Sequence, residues 1–247
     1  EMLREETMSS KCRPRLRNIP ILRILSSPSV FAVIVANIGV SWANSHTSLL
    51  LPQFFISLGF PILITSVLST IPFLGASVIG LVSPYIFRQI KRCKITTTVA
   101  RKICSSICLV GFSILTFPTA FIVRQTDPIL IIVLSTLSCS LLGFNLVGAW
   151  GNPQDISPTY VGTIMGIMGL INEITKSIVL QTKSLIASHV EEEEVWPILF
   201  LLASGVNVVA SGLYLMLGTA EIQDWDSLSD SQLDLFNENK KKQTDRK

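Results

Sequence analysis

Charged side chains make up only 15% of the 247 residues, where a soluble domain carries about a quarter. Of the 37 that exist, 21 lie in the first 28 and last 28 positions, which leaves 16 for the 191 residues of segment 29–219. The mean hydropathy of the whole chain is +0.53, and the middle segment reads as a membrane sequence and not an ordinary soluble domain. Histidine is scarcer still, since His46 and His189 are the only two and neither lies near a cysteine in sequence. The five cysteines, Cys12, Cys93, Cys104, Cys108 and Cys139, are an odd number without neighbouring ligands. Neither a disulfide framework nor a metal site is therefore expected. A formal net charge of +3 is too small to suggest nucleic acid, and the basic residues sit in short clusters beside apolar runs, as at a membrane surface. The opening residues are charged, without the apolar core and small-residue cleavage site of a signal peptide, so none is expected.

Six apolar runs fill the middle, at 30–51, 62–87, 103–123, 129–150, 160–178 and 196–217. Each is about 19 to 26 residues, enough to cross a bilayer at about 1.5 Å per residue with modest tilt. Pro28, Pro52, Pro61, Pro84, Pro128, Pro158 and Pro197 fall at or near the ends of runs, where a missing N–H costs least. Pro72 and Pro118 fall inside and are expected to kink their helices.

Lys and Arg collect on one side of such a six-span chain. Arg4, Lys11, Arg13, Arg15, Arg17 and Arg23 precede the first run, and Arg88, Lys91, Arg92, Lys94, Arg101 and Lys102 lie between the second and third. Lys240, Lys241, Lys242, Arg246 and Lys247 follow the sixth, so that 17 of 20 basic residues share a side. The positive-inside rule then puts both termini in the cytoplasm, with Glu191 to Glu194 opposite. From Glu221 onward apolar periodicity is lost and acidic and basic blocks alternate, the pattern of a solvated tail. No stretch is left for a soluble catalytic domain, so an enzyme is not expected.

Polar side chains are costly in hydrocarbon and face a bundle interior or a water-filled cavity. Asn37, Ser41, Asn44 and Ser48, spaced 4, 3 and 4, form one stripe at about 100° per residue. From the inner surface Asn37 lies about 12 Å deep and Asn44 about 22 Å. A wall of a solute pathway fits four such positions better than one interhelical contact, where each hydrogen bond is worth about 1 kcal/mol or less. Ser66 and Thr70, with Ser77, repeat the stripe more weakly in the second run, although hydroxyls can satisfy their own backbone. His46 projects roughly 180° from the first stripe near the outer interface, and a packed or interfacial histidine is the expected reading. Ser135, Cys139 and Gly143, like Gly162 and Gly166, are small-residue spacings that suggest close helix contacts. Glu173 and Lys176, an i,i+3 pair about 21 and 26 Å deep, are candidates for gating or ion coupling if they neutralise each other, or snorkel to the outer rim if they do not.

Several segments together resemble a known family. Ser27-Pro28-Ser29-Val30, Val35-Ala36-Asn37, Ser41-Trp42, Leu51-Pro52, Leu68-Ser69-Thr70-Ile71-Pro72-Phe73-Leu74-Gly75, Arg101-Lys102-Ile103 and Ala220-Glu221-Ile222-Gln223-Asp224-Trp225 occur in order over about 190 residues. The most specific segment runs from Asn152 through Asp155, Pro158 and Tyr160 to Gly162, and resembles a cytoplasmic-loop signature. The chain is similar to the C-terminal half, helices seven to twelve, of major facilitator superfamily transporters of the anion branch. That branch includes sialin, the sodium-phosphate transporters and the vesicular glutamate transporters. The resemblance implies an all-α integral membrane fold of six transmembrane helices. Residues 1–28 would be the end of a cytoplasmic interdomain loop, 29–219 the transmembrane half and 220–247 a disordered cytoplasmic tail. A six-helix N-terminal half, absent from this chain, would be the partner, and the site would lie at the midplane between halves.

Three departures bear on specificity. Val40 stands where the glutamate transporters carry Arg before the Ser-Trp pair. Ser83-Pro84-Tyr85-Ile86-Phe87-Arg88 lacks the Asp common after the eighth helix, and Asn172-Glu173-Ile174-Thr175-Lys176 replaces a Pro-Gly cluster in the eleventh. The expectation is a proton- or sodium-coupled secondary transporter of a small organic or inorganic anion, without cofactor, in the plasma membrane or a lysosomal or vesicular membrane. The anion-binding Arg residues would lie mainly in the missing half. The alternative is a degenerate, non-transporting six-helix interaction protein, which a polar stripe sealed in a helix contact would favour.

Overall fold

The computed structural model describes residues 21–122 and 128–226. Arg4 to Arg17, Arg124 and the basic cluster from Lys240 to Lys247 lie outside the described residues. A short α1 (Ile21–Leu25) leads into α2 (Pro28–Ser45), where Pro28 occupies the first turn and forfeits no intrahelical bond. A π-helical turn, His46–Leu50, joins α2 without a break to α3 (Leu51–Ser57). Next come α4 (Ile62–Arg92), α5 (Thr97–Ile122) and α6 (Pro128–Leu141), the last tightening into a 3-10 turn, Leu142–Leu146. A short α7 (Pro153–Ile156) precedes α8 (Val161–Ala187) and α9 (Glu192–Leu217).

Six stretches among the described residues are long and apolar enough to cross a membrane: Pro28–Ser57, Ile62–Arg92, Thr97–Ile122, Ile129–Leu146, Val161–Ala187 and Glu194–Leu217. These are the six runs read from sequence, with shifted ends. The first continues past Pro52, because the π-turn closes on the Leu51 N–H donating to the His46 carbonyl and places Pro52 in the first turn of α3. Pro84 lies well inside α4 and not at its end. The carbonyl that its missing N–H would leave unpaired, that of Gly80, accepts a bond from the Ser83 hydroxyl at 3.0 Å. The fourth run does not stay helical to residue 150. α6 stops at Leu141, where the chain meets α4 so closely that a Cβ on Gly143 would lie 2.5 Å from the Ala76 carbonyl oxygen and 2.6 Å from the Gly80 nitrogen.

α9 packs along α5 and α2 to make the densest part of the bundle. Ala32, Ala36 and Val40 of α2 meet Leu109 and Phe112 of α5 and Ala203, Ala210 and Tyr214 of α9. Small residues allow the approach, for a Cβ on Gly39 would lie 2.8 Å from that of Ala210. Two serines lock α5 to α9 reciprocally: Ser113 Oγ donates to the Ser204 carbonyl at 3.1 Å and Ser204 Oγ to the Ser113 carbonyl at 3.2 Å. α4 leans on α6 and its 3-10 turn, and α8 rests mainly on α2. In the first span 61% of the most apolar window is buried, against 17% in α4 and 22% in α8, so these two helices form the open sides of the bundle.

At one end a polar network ties the loops together. Arg101 Nε donates to Asp155 Oδ2 at 2.7 Å and its NH1 to the Val147 carbonyl at 2.7 Å, with the guanidinium 4.7 Å above the Phe87 ring. Ser29 and Thr219 share a hydroxyl bond of 2.8 Å, Gln223 N–H donates to the Ile156 carbonyl at 3.0 Å, and Ser157 Oγ donates to the buried Asp226 carboxylate at 2.8 Å. The tail read from residue 220 onward as solvated thus begins with seven residues docked on this network. Ile24, before the first span, is likewise fully buried.

Candidate functional site

The periodicity of α2 aims Asn37 and Ser41 at α8. Asn37 Nδ2 donates to the Met168 carbonyl at 3.2 Å and to Asn172 Oδ1 at 2.7 Å, and Ser41 Oγ donates to the Asn172 carbonyl at 3.2 Å. Beside this contact lies a cavity of about 320 Å³. Asn37, Ser41 and Asn44 of α2 line one wall; Asn145 and Trp150, from the turns after α6, line a second; Asn172, Glu173 and Lys176 of α8 line the third. Lys176 Nζ and Glu173 Oε1 are 2.6 Å apart with side chains 47% and 70% exposed, so they pair with each other at the open edge. The chemistry offered is amide and hydroxyl hydrogen bonding, one aromatic wall and a charge pair of zero net charge.

The structure therefore brings Asn37, Ser41, Asn44, Glu173 and Lys176 to one cavity. Ser48 does not join them. It falls within the π-turn, which shifts the register of the stripe, and it is exposed. Ser66 and Thr70 lie on the exposed face of α4 and donate to their own helix, to the Ile62 and Ser66 carbonyls, at 2.8 Å each; neither lines the cavity. Asn145, Trp150 and Asn172 were not singled out from sequence as lining residues. Asn172, an amide beside Glu173 in an apolar run, carried a readable signal, whereas Asn145 and Trp150 reach the cavity only because α6 ends early.

The loop-motif residues lie in the polar network. Asn152 Nδ2 donates to the Tyr214 hydroxyl at 2.9 Å and to the Thr219 carbonyl at 3.0 Å. Asp155 holds Arg101, Tyr160 lies 6.1 Å from the Trp225 ring centroid, and a Cβ on Gly162 would meet nothing within 4 Å. His46 is buried away from the candidate cavity, edge-on to Phe200 at 4.6 Å. A larger groove of about 680 Å³ between α2 and α9 is lined by aliphatic residues such as Val35, Leu202 and Val209. It offers no polar group to orient a solute.

Six helical stretches of membrane-crossing length and apolarity among the described residues define a multi-pass all-α membrane protein. No family model matches the chain, but curated relatives do. It is 27% identical over 214 residues to sodium-dependent phosphate transport protein 1 of Rattus norvegicus, which covers 85% of the chain and 45% of the relative. It is 27% identical over 219 residues to sialin of Ovis aries, covering 87% and 43%. It is 28% identical over 225 residues to a probable vesicular glutamate transporter of Caenorhabditis elegans, covering 87% and 37%. The chain thus spans less than half the length of these relatives.

Proposed function

We propose that the chain is one six-helix half of a secondary active transporter for an organic or inorganic anion, coupled to a proton or sodium gradient. The observation that carries the reading is the cavity between α2, the turns after α6, and α8, where polar side chains from three elements converge beside an ion pair. Related proteins whose names describe phosphate and glutamate transport support the substrate class. Asn44 and Asn145 supply hydrogen bonds that orient the solute, and Trp150 supplies a flat wall. Glu173 and Lys176 cancel, so this half lends little net charge and the anion's charge is balanced by the other half. Rocking of the halves about the site exposes it alternately to the two sides. Both termini face the cytoplasm, and the membrane is the plasma membrane or that of a lysosome or vesicle.

A second reading, a non-transporting membrane interaction protein, is favoured by one observation. Asn37 and Ser41 spend their donors on α8, as in a sealed helix contact. Uptake of labelled phosphate, glutamate and other organic anions into vesicles separates the two, using the protein that carries both halves under imposed proton or sodium gradients. Transport that falls for Asn44→Leu and Asn145→Leu at unchanged abundance, but not for Val208→Ala on the exposed side of α9, supports the first reading. No gradient-dependent uptake of any anion in well-expressed protein supports the second.

A further inference from the structure

A second polar cavity lies apart from the solute site, where the π-turn meets α5, α6 and α9. His46 Nε2 and Thr116 Oγ1 both line it, and both are buried without a hydrogen-bond partner; their residues are 4% and 3% exposed. Leaving either group dry in a bundle core is costly, and here two such groups border one space. The centre of a water-sized sphere can occupy about 10 Å³ of it, roughly the room one water requires.

We propose that this cavity holds a single water molecule hydrogen-bonded to His46 Nε2 and Thr116 Oγ1, sealed among the four elements. The remaining polar lining supplies further partners. Thr47 donates to the Ala43 carbonyl at 3.0 Å, Thr119 to the Leu115 carbonyl at 3.0 Å and Ser138 to the Ser135 carbonyl at 3.1 Å. With their hydrogens committed, these hydroxyls present lone pairs to the cavity. A water donates into such lone pairs and accepts from the Thr116 hydroxyl, and it matches His46 in either tautomer because it both donates and accepts. A metal cation fits worse, since no carboxylate lines the space and a cation cannot accept a hydrogen. The π-turn creates the need: it closes on the Leu51 N–H, immediately before Pro52, which has no N–H to contribute, and it leaves His46 buried in the bundle instead of facing lipid.

Radiolytic labelling of the chain in detergent micelles tests this. Protein equilibrated in ordinary water is mixed rapidly into heavy-oxygen water and irradiated at once. Phe112 and Phe200 line the cavity and are 1% and 2% exposed. The expected result is oxidation at one or both, carrying ordinary oxygen because a sealed water exchanges slowly, while His189, exposed in the turn after α8, carries the heavy isotope. Absence of oxidation at both buried rings overturns the proposal, as does heavy oxygen there. Thr116→Val and His46→Phe give an independent readout. With a water present each strips it of a partner, lowers the melting temperature and reduces labelling several-fold. With a dry cavity each removes an unpaired polar group and raises the melting temperature, which also overturns the proposal. Thr116→Val keeps the side-chain shape, so its sign stands even if the histidine variant does not fold.

Discussion

A methyl group placed on Gly143 would lie 2.5 Å from the Ala76 carbonyl oxygen, 2.6 Å from the Gly80 nitrogen and 3.0 Å from the Ile79 carbonyl carbon. All three are backbone atoms of α4, so no rotamer change relieves the clash. Restoring contacts of about 3.5 Å requires moving the 3-10 turn and α4 apart by roughly 1 Å. Such overpacking costs about 3 kcal/mol, offset by about 1 kcal/mol from replacing glycine in a helical segment. The expected net loss for Gly143→Ala is about 2 kcal/mol, or about 6 °C in melting temperature at 2–4 °C per kcal/mol for a chain of this size. Buried Cys104, Cys108 and Cys139 supply the assay: a fluorogenic thiol dye reports their exposure during heating, against a constant background from exposed Cys93. Gly166→Ala is the comparison, since nothing lies within 4 Å of its added Cβ, and it should melt no lower than wild type. A Gly143→Ala protein that melts within about 2 °C of wild type, or a Gly166→Ala protein that falls as far, refutes the close approach of α4 and the turn after α6.

Three further expectations concern charge. With other thiols replaced by serine, native Cys93 and a Glu191→Cys variant should react with an impermeant reagent from opposite faces of sealed vesicles; labelling from one face defeats the six-span orientation. Glu173→Gln and Lys176→Gln should each lower gradient-driven uptake per surface molecule, and the double variant should recover part of it, if the 2.6 Å pair is a neutral gate. Three variants that behave alike and close to wild type would place the pair at the rim with no role in transport. Asp155→Asn should destabilise the chain by about 2 kcal/mol, the worth of a charge-assisted hydrogen bond, because it leaves the Arg101 guanidinium, 11% exposed, without its carboxylate. An unchanged melting temperature would show that the Val147 carbonyl and the Phe87 ring suffice for Arg101.

The six spans were legible from sequence because a chain in hydrocarbon must satisfy its backbone internally, so an apolar run of sufficient length has little choice but helix. The stripe of Asn37, Ser41 and Asn44 was legible for a related reason: within a regular helix, residue spacing alone sets angle. That rule fails wherever the helix is irregular. Ser48 leaves the stripe because the π-turn from His46 to Leu50 changes the residues per turn. Asn145 and Trp150 join the cavity because α6 gives way to a 3-10 turn, where Gly143 lets two backbones nearly touch. Neither irregularity has a local signal strong enough to outweigh the apolar run around it; each exists because a neighbouring helix is there to pack against. The same holds for which way a polar group points. Spacing put Asn37 on an inward face, but only the position of α8 decided that its amide meets Asn172, that Asn44 is left to the cavity, and that His46 and Thr116 border one small space.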